Sequence, residues 1–262
     1  MELFYRKKGD AGEPLIILHG LYGSGDNWMS IAQVLSGKYQ VYLIDQRNHG
    51  RSPHADDMSY DMLAEDINEF IDSHDLRNVN IIGHSMGGKA AMWFAAKHPD
   101  KIKKLVIVDV APGTYDLSSP SVETHKKIIG ALKSTDPSKV KNRKELNMQF
   151  AKMIDNLQLR MFLLKNIERK DDGTYRWRIN IESIEQNIIS IMSSIPDTDI
   201  TINTPALFLK GEMSDYITEK DFPLIRKIFS KSEIITIPNA GHWLHARQPK
   251  LFVEKTLEFL KN

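Results

Sequence analysis

Six short runs rich in Val, Ile and Leu constrain the fold of this chain more than any other feature of its sequence. They span residues 15–18, 41–44, 79–82, 105–108, 206–209 and 234–237. Because apolar residues do not alternate with polar ones there, the runs are typical of strands buried on both faces of a parallel sheet. Segments with apolar residues at helical spacing lie between them, for example around Ile67 and Phe94. The alternation predicts an α/β fold with right-handed crossovers.

The alternation of strands and helices stops between residues 113 and 204. Four helical patterns follow one another there, over residues 122–132, 145–154, 157–167 and 181–192. A hairpin signal, Asp171-Asp172-Gly173, interrupts them. We therefore predict one α/β core domain, formed by residues 1–112 and 205–262, with residues 113–204 inserted as a mostly helical cap.

The composition excludes several classes of function. Lys and Arg exceed Asp and Glu by only 35 − 34 = 1, so no overall field attracts nucleic acid or an anionic membrane. The absence of cysteine excludes disulfides, thiolate metal sites and cysteine nucleophiles. The first ten residues lack the apolar core of a signal peptide, and no apolar run approaches the ~20 residues of a membrane span. We expect a soluble, cytoplasmic protein, monomeric or homodimeric, with no nucleic-acid or membrane partner.

The strongest functional motif is Gly83-His84-Ser85-Met86-Gly87, which matches the pattern G-x-S-x-G between an apolar strand and a helical segment. Small residues around the serine permit a tight strand-to-helix turn that projects its hydroxyl, so Ser85 is the predicted nucleophile. The stretch that ends at Gly88-Lys89 also matches a P-loop. Ala90 then occupies the position where a hydroxyl would hold magnesium, which makes a nucleotide site the weaker interpretation.

A glycine-rich loop, His19-Gly20-Leu21-Tyr22-Gly23, directly follows the first apolar run. In hydrolases with such a serine turn, a backbone N–H of this loop acts together with the N–H after the nucleophile. The two donors stabilise the oxyanion that forms during the reaction. We assign these donors to Leu21 and Met86.

His242 is the candidate base among the nine histidines. It lies just past the last apolar run, and the base comes last along the chain in this class of hydrolase. His84 is expected to pack away from the site, because the neighbours of the nucleophile diverge at the turn. His242 and His245 have no cluster of partners for zinc, so no metal site is predicted.

Four segments together resemble the α/β-hydrolase superfamily, and most closely small lid-bearing esterases of the YbfF and ABHD11 type. They are HGLYGSGDNW (19–28), DQRNHGRS (45–52), GHSMGG (83–88) and NAGHW (239–243). The resemblance implies a mostly parallel eight-stranded sheet flanked by helices, with a helical cap after the sixth strand. It also implies ester or thioester hydrolysis without a cofactor, and a structural role for residues 45–52.

Two aspartates compete for the acid of the triad. Asp215 lies in a loop that resembles the commonest acid loop of the superfamily, but it follows Gly211 by four residues where three is usual. Asp109 ends the apolar run at 105–108, and YbfF-type esterases and haloalkane dehalogenases are similar at this point. The carboxyl end of a parallel strand is also where the site of such a sheet assembles. We favour Asp109 and keep Asp215 as the alternative.

These residues predict a serine hydrolase that cleaves carboxylic esters or thioesters of short to medium acyl chains through an acyl-enzyme. Tyr22, Met161, Phe162 and Trp243 would wall its acyl pocket. No metal or organic cofactor is implied. From residue 123 to 180, Lys and Arg number 14 and Asp and Glu number 7. This excess either belongs to solvated helix faces or attracts an anionic substrate such as an acyl-CoA.

Two other functions stay open at this point. A C–C bond hydrolase or lyase on the same scaffold would need a cationic clamp for a substrate carboxylate, which Arg143, Arg160 and Arg178 could supply. A non-catalytic receptor would keep the fold and bind a ligand under the cap.

Overall fold

The structure, a computed structural model, describes residues 1–116, 118 and 120–261. Its strands are β1 (Tyr5–Lys8), β2 (Glu13–Leu18), β3 (Tyr39–Ile44), β4 (Val79–His84), β5 (Ile102–Val108), β6 (Ile167–Arg169), β7 (Tyr175–Trp177), β8 (Ala206–Gly211) and β9 (Ser232–Ile237). One sheet has the order β1-β3-β2-β4-β5-β8-β9, and in it only β1 runs antiparallel to its neighbour. Strands β6 and β7 form a separate antiparallel hairpin.

The main sheet has seven strands in the described residues, where the resemblance implies eight, and the helical insertion follows the fifth strand rather than the sixth. The six apolar runs all lie in strands of this sheet, which confirms the α/β fold class. The seventh strand, β1, is a polar edge strand that no apolar run could reveal. A turn at Gly9 and Gly12, whose φ angles are +80° and +92°, leads straight from β1 into β2, so no further strand lies between them.

The core lies on both faces of the sheet, as the continuous apolar runs predict. In β2, Leu15 and Ile17 belong to one buried cluster, whereas Ile16 and Leu18 belong to the other, and none of the four is exposed. Alternate residues of a strand point to opposite faces, so a strand covered on both sides must be apolar throughout.

Ten helices of the described chain cover these faces or form the insertion. They are α1 (Met29–Leu35), α2 (Tyr60–Ser73), α3 (Met86–Lys97), α4 (Pro120–Ser134), α5 (Arg143–Phe150), α6 (Leu157–Leu163), α7 (Ile181–Met192), α8 (Phe222–Ile228), α9 (Leu244–Arg247) and α10 (Pro249–Lys261). Side chains of α1 and α10 pack in one cluster, and those of α2, α3 and α8 pack in the other. None of the helices described is both long and apolar enough to cross a membrane.

The segment between β5 and β8 contains α4 to α7 and the β6–β7 hairpin. The single helix predicted over residues 157–167 is shorter in the structure: α6 ends at Leu163, and a 3₁₀ turn, Leu164–Asn166, leads into β6. The side chain of Asn166 donates to the carbonyl of Leu163 at 3.2 Å and to the carbonyl of Tyr22 at 2.8 Å. The amide thus binds the end of α6 and joins it to the loop after β2.

Residues 45–52 brace the loops at the carboxyl edge of the sheet. The buried guanidinium of Arg47 binds both carboxylate oxygens of Asp66, at 2.6 and 2.8 Å. The backbone carbonyl of Asn48 accepts from the N–H of Asn180, and its side chain donates to the hydroxyl of Ser183 at 3.0 Å. The segment therefore ties the sheet to the start of α7.

Candidate active site

Ser85 lies at a sharp turn between β4 and α3. Its φ and ψ angles are 53° and −121°, a strained combination for a residue with a side chain. A Cβ atom on Gly83 would lie 2.4 Å from the carbonyl oxygen of Gly87, and one on Gly87 would lie 2.6 Å from the carbonyl oxygen of His19. Only glycine fits at these two positions, which explains the spacing of the sequence motif. The Ser85 N–H donates to the carbonyl of Val108 at 3.1 Å and ties the turn to β5.

His242 and Asp109 form a hydrogen-bonded pair beside this turn. Nδ1 of His242 lies 2.8 Å from Oδ2 of Asp109. Because a carboxylate can only accept, Nδ1 carries the proton and Nε2 of the neutral ring is the basic nitrogen. Asp109 is fully buried, and its Oδ1 accepts from the Gly211 N–H at 2.9 Å, while its Oδ2 also accepts from the Ser214 hydroxyl. These donors fix the carboxylate in place.

Asp215, the alternative acid, is an exposed residue, and it lines a cavity together with Ser85 and His242. Of the two aspartates, the structure brings Asp109 to Nδ1 of His242. The residue before Asp215, Ser214, places its hydroxyl on Asp109, so the loop after β8 supports the pair through Ser214.

Ser85 and His242 line one cavity of about 250 Å³. Tyr22, Phe162 and Trp243, which we predicted as pocket residues, line it as well. The ring centroids of Phe162 and Trp243 are 5.5 Å apart, so the insertion and the loop after β9 meet there.

Met161 is the fourth predicted pocket residue. It is not among the described residues that line the cavity, and 51% of its surface is exposed. Successive residues of a helix are separated by about 100° around its axis. Leu159 and Phe162 of α6 line the cavity, and Met161 consequently faces solvent. The sequence predicted the helix correctly, but it assigned Met161 to the wrong face.

The backbone N–H groups of the loop after β2 differ in their hydrogen bonds. The Tyr22 N–H donates to Nε2 of His49 at 3.1 Å, and the Gly23 N–H donates to the Gly20 carbonyl at 2.9 Å. Among the described residues, the Leu21 N–H donates no such turn or loop hydrogen bond to a backbone carbonyl. Met86 is the first residue of α3, where an N–H has no acceptor within the helix. Leu21 and Met86 therefore both retain a donor next to Ser85.

Five histidines around the cavity are buried in their neutral forms. Burial lowers the pKa of His19 and His125 to about 4, lowers that of His49 and His245 to about 3, and lowers that of His84 well below its ordinary value. A neutral ring suits the contacts of His19 and His49, because in each Nδ1 donates to a backbone carbonyl and Nε2 accepts from a backbone N–H. Among the described residues, no group of three or more His, Asp and Glu side chains could hold a metal ion.

His84 does not leave the site, in contrast to our expectation. Its buried ring lines the cavity, and its Nε2 lies 3.0 Å from the backbone carbonyl of His242. Since a carbonyl only accepts, Nε2 of His84 donates and holds the loop that carries His242.

Sequence reasoning missed His125 of α4 and Tyr216. The Tyr216 ring stacks on the His242 ring, with centroids 3.8 Å apart and planes 19° from parallel. Nε2 of His125 lies 3.1 Å from the Tyr216 hydroxyl, and Nδ1 lies 3.3 Å from the Tyr22 hydroxyl. A signal for His125 exists in the sequence, because it occupies a position of the apolar stripe that includes Val122 and Leu132.

No cationic clamp faces the cavity that Ser85 and His242 line, since no lysine or arginine of the described chain lines it. The three arginines considered for that role bind protein groups instead. Arg143 donates to the carbonyl of Ile167, and Arg160 donates to two backbone carbonyls in the turn before α6. Nε of Arg178 lies 3.9 Å from a carboxylate oxygen of Glu168. The structure therefore does not support the carboxylate-binding alternative.

Comparisons with known proteins show the family of this chain. A family model described as alpha/beta hydrolase fold matches residues 13–249. The Danio rerio protein named sn-1-specific diacylglycerol lipase ABHD11 is 38% identical over 260 residues, which cover 97% of this chain and 80% of that protein. Esterase YbfF of Escherichia coli K12 is 32% identical over 251 residues, which cover 95% of this chain and 93% of that protein.

A solved structure described as a marine microorganism esterase is 70% identical to this chain. It superposes with a TM-score of 0.97, over 98% of this chain and 99% of that one. The resemblance predicted from the four sequence segments is thereby confirmed. The chain belongs to the α/β-hydrolase family, together with these relatives, which are named as esterases and a lipase.

Proposed function

We propose that the protein is a serine hydrolase that cleaves carboxylic esters or thioesters through an acyl-enzyme. The hydrogen bond between Asp109 and His242, in the cavity that Ser85 lines, is the observation that carries this proposal. It places the proton of the imidazole on Nδ1, so that Nε2 can act as the base, in the same cavity as the strained turn that carries the Ser85 hydroxyl. Esters and thioesters share this chemistry, since both pass through the same kind of tetrahedral intermediate.

In the first half of the reaction, Oγ of Ser85 attacks the acyl carbonyl and its proton passes to Nε2 of His242. Asp109 holds the imidazolium that forms. The N–H groups of Leu21 and Met86 bind the oxyanion, and each such donor stabilises the transition state by roughly 2.7–4 kcal/mol in comparable sites. When the tetrahedral intermediate collapses, the C–O or C–S bond to the leaving group breaks, and His242 returns the proton to that group.

In the second half, a water molecule attacks the acyl-enzyme, with His242 again as base. The bond to Oγ of Ser85 breaks, the serine regains its proton, and the carboxylic acid leaves. No step needs a metal or a redox cofactor.

We assign residues 113–204 to a cap that closes this site, with residues 1–112 and 205–262 as the core domain. Leu159 and Phe162 from this segment line the cavity together with Ser85 and His242. The cap thus shapes the space in which the substrate must lie.

Labelling with a fluorophosphonate probe tests the proposal. The wild-type protein is expected to react with one equivalent at Ser85 and to hydrolyse p-nitrophenyl acetate, and both reactions should be absent in Ser85→Ala. Ser30→Ala is the matched control for the presence of a serine, because Ser30 is an exposed residue of α1 that does not line the cavity. A wild-type protein that is folded, does not react with the probe and hydrolyses no ester or thioester contradicts the proposal.

A further inference from the structure

A second, much smaller cavity adjoins Ser85. It measures about 10 Å³ and is lined by Leu21, Tyr60, Ser85, Met86, Lys89, Val110, Tyr115, His125, Ile191, Met192 and Tyr216. The two cavities share Leu21, Ser85, His125 and Tyr216, but His242 and Trp243 line only the large one, and Met86 and Val110 line only the small one. The nucleophile therefore separates two spaces of very different size.

The position of His242 decides which part of an ester enters which space. The leaving group must receive its proton from His242, so its oxygen has to lie on the His242 side of the reacting carbon. The acyl chain is attached to the same carbon and points away from the leaving group. We propose that the large cavity binds the alcohol and the small cavity binds the acyl chain, which makes the protein an esterase for acetate esters of bulky, apolar alcohols. This assignment rests on the function proposed above.

The volume of the small cavity limits the acyl group. A cavity needs about 10–15 Å³ of such volume to hold one water molecule, so this one has room for a single small group at most. An acetyl group has one methyl beyond its carbonyl carbon and fits, whereas each further methylene must displace wall atoms. Interiors are close-packed, and added methylenes there force neighbouring groups out of place.

The wall of the small cavity is also fixed by hydrogen bonds. The Tyr60 hydroxyl donates to the Ile191 carbonyl at 2.7 Å, and the Tyr115 hydroxyl accepts from the Ala111 N–H and donates to the Tyr216 carbonyl, both at 3.1 Å. These bonds join the core to the cap on both sides of the cavity. They oppose the movement that a longer acyl chain would need.

Lys89 does not offer this cavity a binding site for a carboxylate. Its Nζ donates to the carbonyls of Gly113 and Ser193 and lies 4.5 Å from the centroid of the Tyr115 ring. The ammonium group thus has its partners within the protein. A neutral methyl group suits the space better than a charged acyl chain does.

The large cavity suits the alcohol because it is apolar and roomy. Its volume of about 250 Å³ is bordered by aromatic side chains, among them Tyr22, Phe162 and Trp243. These are the residues that the sequence suggested as walls of an acyl pocket. Since they share the cavity with His242, the structure points to a role in binding the leaving group.

Two series of esters test the assignment in the wild-type enzyme. The first keeps p-nitrophenol and lengthens the acyl group from acetate to butyrate and hexanoate, and the second keeps acetate and enlarges the alcohol from methyl to benzyl and 1-naphthyl. We expect kcat/KM to fall at least about 10-fold from acetate to butyrate, because one unaccommodated methylene alone changes it by about 10-fold or more. In the second series kcat/KM should rise or stay level.

Variants of the two cavities separate their roles. Val110→Ala and Ile191→Ala each enlarge the small cavity and should raise the butyrate-to-acetate ratio of kcat/KM by about 10-fold. Phe162→Ala enlarges the large cavity and should change the ranking of alcohols while leaving that acyl ratio at its wild-type value. Met161→Ala, one residue away and exposed, should change neither. Circular dichroism identifies any variant that does not fold, and Val110→Ala, which removes the fewest atoms, then carries the comparison.

A wild-type enzyme that hydrolyses butyrate or hexanoate at least as fast as acetate overturns the assignment. A shift of the acyl ratio in Phe162→Ala, with none in Val110→Ala, overturns it too, because the two cavities then have the opposite roles. These outcomes leave the serine-hydrolase proposal standing. Failure of that proposal is different, since it appears as the absence of probe labelling and of hydrolysis throughout both series.

Discussion

Oδ2 of Asp109 and Nδ1 of His242 are 2.8 Å apart, although 133 residues separate them along the chain. Asp109 is held at the end of β5 in a conformation with φ of 51°, and His242 lies in the loop after β9. The sheet order places β8 between these two strands, so the loop ends of three neighbouring strands meet at the pair. A carboxylate in this position fixes the tautomer of the imidazole and stabilises its charged form.

Isosteric replacement of the two aspartates tests which one is the acid. We expect Asp109→Asn to lower kcat by about 10⁴-fold, because an amide at this place no longer fixes the reactive tautomer of His242. Asp215→Asn should change kcat only slightly. Rates with p-nitrophenyl acetate, measured for both purified variants, check this, and the reverse ranking would move the role of the acid to Asp215.

Removal of the nucleophile should separate chemistry from folding. We expect Ser85→Ala to lower kcat by several orders of magnitude, about 10⁶-fold where a triad acts as a unit. The turn around Ser85 is built by glycines and backbone hydrogen bonds, so the melting temperature should stay close to that of the wild type. Activity near the wild-type rate in Ser85→Ala would exclude the proposed mechanism.

The sequence was sufficient to predict the parts of the site that depend on the backbone. Ser85 could be predicted because only glycines permit its turn, and Asp109 because it closes a buried strand at the edge where the loops meet. Met161 and His125 depend on the rotation of a helix about its axis and on the docking of the cap. The spacing of residues within one helix shows which of them share a face, as for His125 with Val122 and Leu132, but it does not show which part of the core that face meets.

The number of strands also shows what the sequence can and cannot predict. Five largely buried strands and the edge strand β9 contain apolar runs, whereas β1 is a half-exposed edge strand with the sequence Tyr5-Arg6-Lys7-Lys8. An edge strand of this kind is held by pairing with β3, and its side chains carry no pattern that requires a buried sheet.

His125 is expected to position His242 through Tyr216. His125→Phe keeps a ring in the cavity wall but removes the hydrogen bonds to the hydroxyls of Tyr22 and Tyr216. One such bond contributes about 0.5–1.5 kcal/mol, which corresponds to at most about a 10-fold loss in kcat. We expect kcat to fall by this factor with little change in KM or in melting temperature. Lys126→Ala, on the exposed side of the same helix, is the control, and an unchanged kcat in His125→Phe would contradict the role.

Stability should decrease as the pH falls from about 6.5 to about 4, on the basis of the reference pKa of histidine. Burial holds the pKa of His125 and His19 at about 4 in the folded protein, so in this window the unfolded chain binds protons that the folded protein does not. Folding stability therefore rises with pH there and is lost as the pH falls. Melting temperatures between pH 4 and 7 check this, and His125→Gln should flatten the slope. A melting temperature that is independent of pH across the window would contradict it.

Lys89 is expected to stabilise the junction between the cap and α3. Its Nζ donates to the carbonyls of Gly113 and Ser193, which lie near the two ends of the inserted segment. Lys89→Met keeps most of the side-chain volume but leaves two partly buried carbonyls without this donor, and the loss of a buried partner costs about 1–3 kcal/mol. We expect the free energy of unfolding, measured by urea denaturation, to fall by about 2 kcal/mol or more. Lys97→Met near the end of the same helix removes only a 3.4 Å contact with Asp61 at the surface, and it should stay within about 0.5 kcal/mol of the wild type. Equal stability of the two variants would show that the buried amine does not hold the cap in place.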